Sequence, residues 1–105
     1  MLRRFGGDDS LLAEVLEELS RNLPELRARV SDAIEARDAP ALTAAAHRLR
    51  GALLEIAALP AADLARQLEA SGGQPDGQRS AELWSELSPL LSALAADLGA
   101  RALAP

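Results

Sequence analysis

"TAAAHRLRGALLEIAA", residues 43–58, sets the fold of the chain. With Leu42 just before it, Leu42, Ala46, Leu49, Leu53 and Ile56 recur at spacings of 4, 3, 4 and 3. That is the period of one buried face of an α-helix. Projected at about 100° per residue, His47 falls about 140° from the centre of this stripe. Thr43, Ala44, Gly51 and Leu54 share its outward side, and Arg50 lies between that side and the core edge. A glycine inside a helix costs roughly 1 kcal/mol against alanine. Gly51 therefore asks for a reason, and so does the only histidine of the chain one turn before it.

The same periodicity extends in both directions. After Gly6-Gly7, Asp8 or Asp9 can cap a helix. Leu12, Leu16, Leu19, Leu23, Leu26, Val30 and Ala33 then form one stripe that keeps its phase across Pro24. The expectation is a single helix kinked at the proline. "RDAP" breaks the pattern, with Asp38 as the next cap and Pro40 in the first turn that follows. Pro60 opens a third helix with Ala61, Leu64, Ala65 and Leu68 on one side. "SGGQPDGQ" (residues 71–78) is a loop. Ser80 starts a last helix striped by Trp84, Leu87, Leu91, Leu94 and Leu98, which Ser88-Pro89 kinks or splits. "GARALAP" at the C-terminus is expected to fray.

Helices at about 8–37, 39–58, 60–71 and 80–102, joined by short connections, predict an all-α fold. The expected architecture is an antiparallel four-helix bundle formed by one domain over residues 1–105, with the histidine exposed midway along the second helix. A coiled-coil oligomer is the alternative, and the internal prolines and glycines oppose it, so a monomer is expected.

Composition agrees with helix and narrows function. Alanine and leucine dominate, and Phe5 and Trp84 are the only aromatics. Eleven basic and sixteen acidic residues give a net charge of −5, which speaks against a nucleic-acid partner. Without cysteine, and with one histidine, no cysteine-based zinc site is possible and a transition-metal site is not expected. No apolar run has the length of a membrane span, and "MLRRFGGDDS" lacks the apolar middle of a signal peptide. A cytoplasmic protein with no membrane partner is the expectation.

The outward side of the second helix suits one chemistry in particular. A solvated imidazole is largely neutral at pH 7, and its neutral form is a nucleophile. A phosphoryl group on a ring nitrogen would carry up to two negative charges, which a guanidinium one turn on, at Arg50, can pair. Gly51 would leave room for another protein to approach the ring. The plainer reading is a solvated histidine beside a glycine that serves helix packing, with arginines in weak surface pairs.

"AAAHRLRGALLEIAALPAADLARQLE" resembles the signature of histidine phosphotransfer domains, the carriers of phosphorelays. Their pattern is His-x-x-Lys-Gly followed by small residues, a later glycine, and an "LE" some twenty residues after the histidine, here Leu68-Glu69. The lead-in from Leu2 to His47 is similar to that family's first helix. The resemblance implies a helical bundle in which His47 is the phosphorylated residue, Arg50 steadies the phosphoryl group, and Gly51 clears a docking surface also lined by Thr43, Ala44 and Leu54. It implies a carrier with no ATP site, no catalytic base and no cofactor of its own. The partners implied are response-regulator receiver domains, which supply Mg²⁺, and a sensor or hybrid histidine kinase.

Several positions depart from the family pattern. Arg50 stands for the usual lysine, Leu53 and Leu54 for residues that are often small, and Ala57 for the later glycine. These departures bear on whether transfer is weakened or specialised. An adaptor of the same fold, which binds a receiver or kinase without relaying phosphate, is the alternative; retention of His47 and of a cation at position 50 speaks against it. An enzyme using His47 as general base needs a carboxylate or nucleophile in reach. Along the helix the nearest carboxylate, Glu55, is eight residues away and about 80° further round. A bundle that only oligomerises would show a large exposed apolar patch away from His47.

Overall fold

The computed structural model describes residues 9–72 and 77–103, with side chains from 11 to 72 and from 77 to 99. Among these residues the chain forms four helices: α1 (Asp9–Ala36), α2 (Ala39–Glu55), α3 (Leu59–Ser71) and α4 (Gln78–Leu103). The capping role of Asp8, the middle of the 71–78 loop and the last two residues lie outside the described residues.

Each helix packs against its sequence neighbour, and α4 returns against α1, with no diagonal contact among the described residues. This is the cyclic arrangement of an up-down-up-down bundle. At 1.5 Å rise per residue, α1 and α4 reach about 40 Å while α2 and α3 reach about 20–25 Å. The two long helices therefore overrun the α2–α3 turn, which accounts for the 46 Å long axis of the molecule.

The stripes read from the sequence form the core. Leu19, Leu23, Val30 and Ala33 of α1 are buried, as are Leu42, Ala46, Leu49, Leu53 and Ile56 on α2 and its C-cap. Ala61, Ala65 and Leu68 of α3 join them, with Leu87, Leu91 and Leu98 of α4. Leu16, Leu26, Leu64, Trp84 and Leu94 are half-buried around them, and Leu12, near the start of α1, is half-buried apart from this cluster. Leu83, outside the expected stripe, is also fully buried. α1 runs unbroken through Pro24, and α4 runs unbroken through Pro89 without splitting. Both prolines are exposed, so water rather than buried chain faces the backbone bond each one removes.

The helix ends explain where the sequence boundaries shift. Asp38 caps α2 as expected, its carboxylate accepting from the Ala41 N–H at 3.1 Å, with Pro40 in the first turn. α2 stops at Glu55 rather than 58. The Ala57 N–H donates to Leu54 O at 3.0 Å and the Ala58 N–H to Leu53 O at 3.0 Å, a Schellman closure. Its left-handed position is held by Ala57, at φ 57°, and Arg37 plays the same part after α1 at φ 54°. α3 consequently starts at Leu59, one residue before Pro60.

α4 begins two residues before Ser80. That serine is buried inside the first turn, its hydroxyl 2.8 Å from Ser71 Oγ, which itself donates to Leu68 O at 2.7 Å. The pair ties the end of α3 to the start of α4. Between α1 and α4, Arg27 Nη2 donates to both Ser88 and Ser92 hydroxyls at 3.1 Å.

An L-residue in the left-handed region is strained by roughly 1 kcal/mol or more, and glycine is not. Ala57→Gly should therefore raise the midpoint of thermal unfolding by about 4 °C, followed by circular dichroism. An unchanged or lower midpoint would mean that the turn carries no such strain.

Candidate functional site

His47 is the ninth of the 17 residues of α2, and its side chain is 61% exposed. The helix turns it away from Ala46 and Leu49, both fully buried, and toward the flank where α3 lies. Glu69, on α3, reaches back from that flank. Its Oε2 is 3.1 Å from His47 Nδ1 and its Oε1 is 3.2 Å from Arg50 Nη1. Arg50 Nη2 is in turn 3.2 Å from His47 Nδ1. Three side chains from two helices thus close a small polar cluster.

The cluster constrains the imidazole. Nδ1 cannot donate to the carboxylate and accept from the guanidinium at once. A lone pair aimed at a carboxylate is repelled, so the favoured tautomer carries its proton on Nδ1 and donates it to Glu69 Oε2. Nε2 then holds the free lone pair, and no described group hydrogen-bonds it. Oε1 of Glu69 is shielded from solvent and lies off the line of a hydrogen bond from Arg50. That contact is an ion pair between half-buried groups, without the directed geometry that would lock the guanidinium in place.

The residues expected on the docking side separate into two groups. Ala44 and Gly51 are exposed, and Leu54 is 44% exposed. Thr43 is not part of the open face. It is half-buried, with its hydroxyl turned into α3 and making a long 3.5 Å hydrogen bond to Glu69 O. The chain makes room for it at Gly72, where any Cβ would collide with Thr43 Oγ1. Thr43 thereby joins α2 to α3 at the residue whose carboxylate meets His47.

Glu69 was not among the candidate residues. Its only signal was the "LE" downstream of the histidine; a search for a carboxylate along α2 itself stops at Glu55. With Glu69 in reach, His47 has the partner a general base requires, but no described hydroxyl is hydrogen-bonded to the ring. Among the described residues the ring contacts are to Glu69 and Arg50 side chains, neither of them a hydroxyl nucleophile. No group of three or more metal-binding side chains occurs among the described residues.

Comparison with known proteins places the chain in a family. A family model, the Hpt domain, matches residues 11–100. The chain belongs to the Hpt domain family, helical phosphocarrier modules of two-component phosphorelays. No curated protein and no solved structure shows significant similarity to it. No helix among the described residues is long and apolar enough to cross a membrane.

The two glycines at the site respond oppositely to the same substitution. A Cβ on Gly51 meets nothing within 4 Å, so Gly51→Ala should gain about 1 kcal/mol from helix propensity. Gly72→Ala should lose about 1–3 kcal/mol, because Thr43 must move. Urea unfolding of both variants measures the pair, and shifts of the same sign would contradict this packing.

Proposed function

We propose that His47 accepts a phosphoryl group on Nε2 from the aspartyl phosphate of a receiver domain, or from a kinase, and passes it to the receiver domain of a response regulator. The observation that carries this reading is the asymmetry of the ring: Nδ1 is engaged by Glu69 at 3.1 Å while the side chain remains 61% exposed. The Nε2 lone pair attacks phosphorus, the P–N bond forms, and the P–O bond to the donor carboxylate breaks. The carboxylate leaves as an anion, and the proton on Nδ1 stays where it is.

Positive charge that develops on the phosphorylated ring is balanced through Nδ1–H by Glu69. A hydrogen bond to a charged group strengthens as that charge grows. Arg50 supplies the second balance. Its guanidinium, one turn from the ring, can turn from Glu69 toward the phosphoryl oxygens, and its planar fork suits them in place of lysine. Mg²⁺ and the groups that polarise the acyl phosphate belong to the receiver.

Purified receiver domains phosphorylated with labelled acetyl phosphate, mixed with this protein and Mg²⁺, test the reading. Label should move onto the wild type and not onto His47→Gln, and it should be lost in acid and stable in base. Glu69→Gln should slow transfer on the order of tenfold, since a hydrogen bond to a charged group is worth about 1.5–3 kcal/mol. Binding of receivers without any label would instead identify an adaptor.

A further inference from the structure

The two arginines beside His47 are used differently. Arg50 is half-buried and held toward α3 by Glu69. Arg48 is exposed and makes no ion pair or hydrogen bond among the described residues. It stands on the other flank of α2, over the groove between α1 and α2, and lines both shallow depressions along it. Small residues of α2 floor that groove, namely Ala41, Ala44, Gly51 and Ala52.

The charges around this groove are ordered. From Ala39 to Leu54, α2 carries Arg48 and Arg50 and no carboxylate, in a chain of net charge −5. On the α1 wall Arg29 is already engaged by Glu25 at 2.8 Å. Asp32 and Asp38 line one depression, and Glu55 lines the other with the Arg29-paired Glu25, so acidic groups stand on either side of Arg48. A partner surface set down here meets one uncommitted cation, next to the histidine, with carboxylates beyond it. Like charges opposed across an interface are costly, so this pattern selects a partner with a carboxylate opposite Arg48 and none opposite Asp32 or Glu55.

Resting on the carrier reading above, we propose that Arg48 is a specificity-determining residue of the docking face. It pairs with a carboxylate on the receiver domain, and it governs encounter and partner choice without taking part in phosphoryl transfer. The division of labour follows from position. Arg50 shares a cluster with the imidazole and acts on the chemistry, while Arg48 faces the α1 side and acts on the approach.

The test uses the full chain and a panel of purified receiver domains phosphorylated with acetyl phosphate, with single-turnover transfer measured against receiver concentration and salt. For the receiver that labels the wild type best, Arg48→Ala should raise the half-saturating concentration about three- to tenfold. Arg48→Glu should raise it further, and Arg48→Lys should restore most of the loss. The limiting rate should stay within about twofold, and the fall of transfer efficiency with salt should flatten. Arg50→Ala, in contrast, should lower the limiting rate.

A wild type that is labelled while Arg48→Glu keeps the same half-saturation and salt dependence overturns the role of Arg48 and leaves the carrier reading intact. A lowered limiting rate at unchanged half-saturation would also overturn it, by placing Arg48 in the chemistry. Failure of every receiver to label the wild type removes both readings.

Discussion

The carboxylate of Glu69 reaches from α3 to bridge His47 and Arg50, two side chains one turn apart on α2. For it to do so, the two helices must lie close and in one register. Small side chains make that possible. Ala46, Ala61, Ala62 and Ala65 are buried in the bundle, and Gly72 admits the Thr43 hydroxyl between the helices. Larger residues at these positions would push the backbones apart and carry the carboxylate out of hydrogen-bond range. The alanine-rich composition is thus what lets a residue of one helix orient the imidazole of another.

The cluster also balances charge in a graded way. Glu69 and Arg50 are about a quarter exposed while His47 is mostly exposed. Fully exposed pairs contribute little, and fully buried ones carry a large desolvation cost. Half-buried groups keep a useful interaction and can still re-pair when a new charge arrives. A phosphoryl group beside His47 would compete with Glu69 for the guanidinium, while Nδ1–H keeps its hold on the carboxylate. Under the proposed carrier role, side-chain motion within this cluster would suffice to accept and release the group.

Much of the fold was legible because helix periodicity is local. The stripes of α1, α2 and α3, the Asp38 cap and the outward direction of His47 all follow from spacing along one helix. The family resemblance pointed to the same histidine. What spacing alone could not show arises between helices. Thr43 lies on the expected side of α2, but contact with Gly72 turns it inward. Glu69 is 22 residues from His47 in sequence, and only the packing of α3 on α2 joins them. The C-terminal end of α2 and the start of α4 shifted for a related reason. Ala57 takes a left-handed conformation that alanine seldom adopts, and Ser80 is drawn into the bundle by its hydrogen bond with Ser71.

The central claim is that one nitrogen of His47 is held and the other is presented. Nitrogen-15 NMR of the imidazole in the phosphorylated protein tests it most directly. The account expects phosphorus coupling at Nε2, with Nδ1 protonated and its signal changed in Glu69→Gln. Phosphorus coupled to Nδ1, or phosphate carried on a residue other than His47, would contradict it.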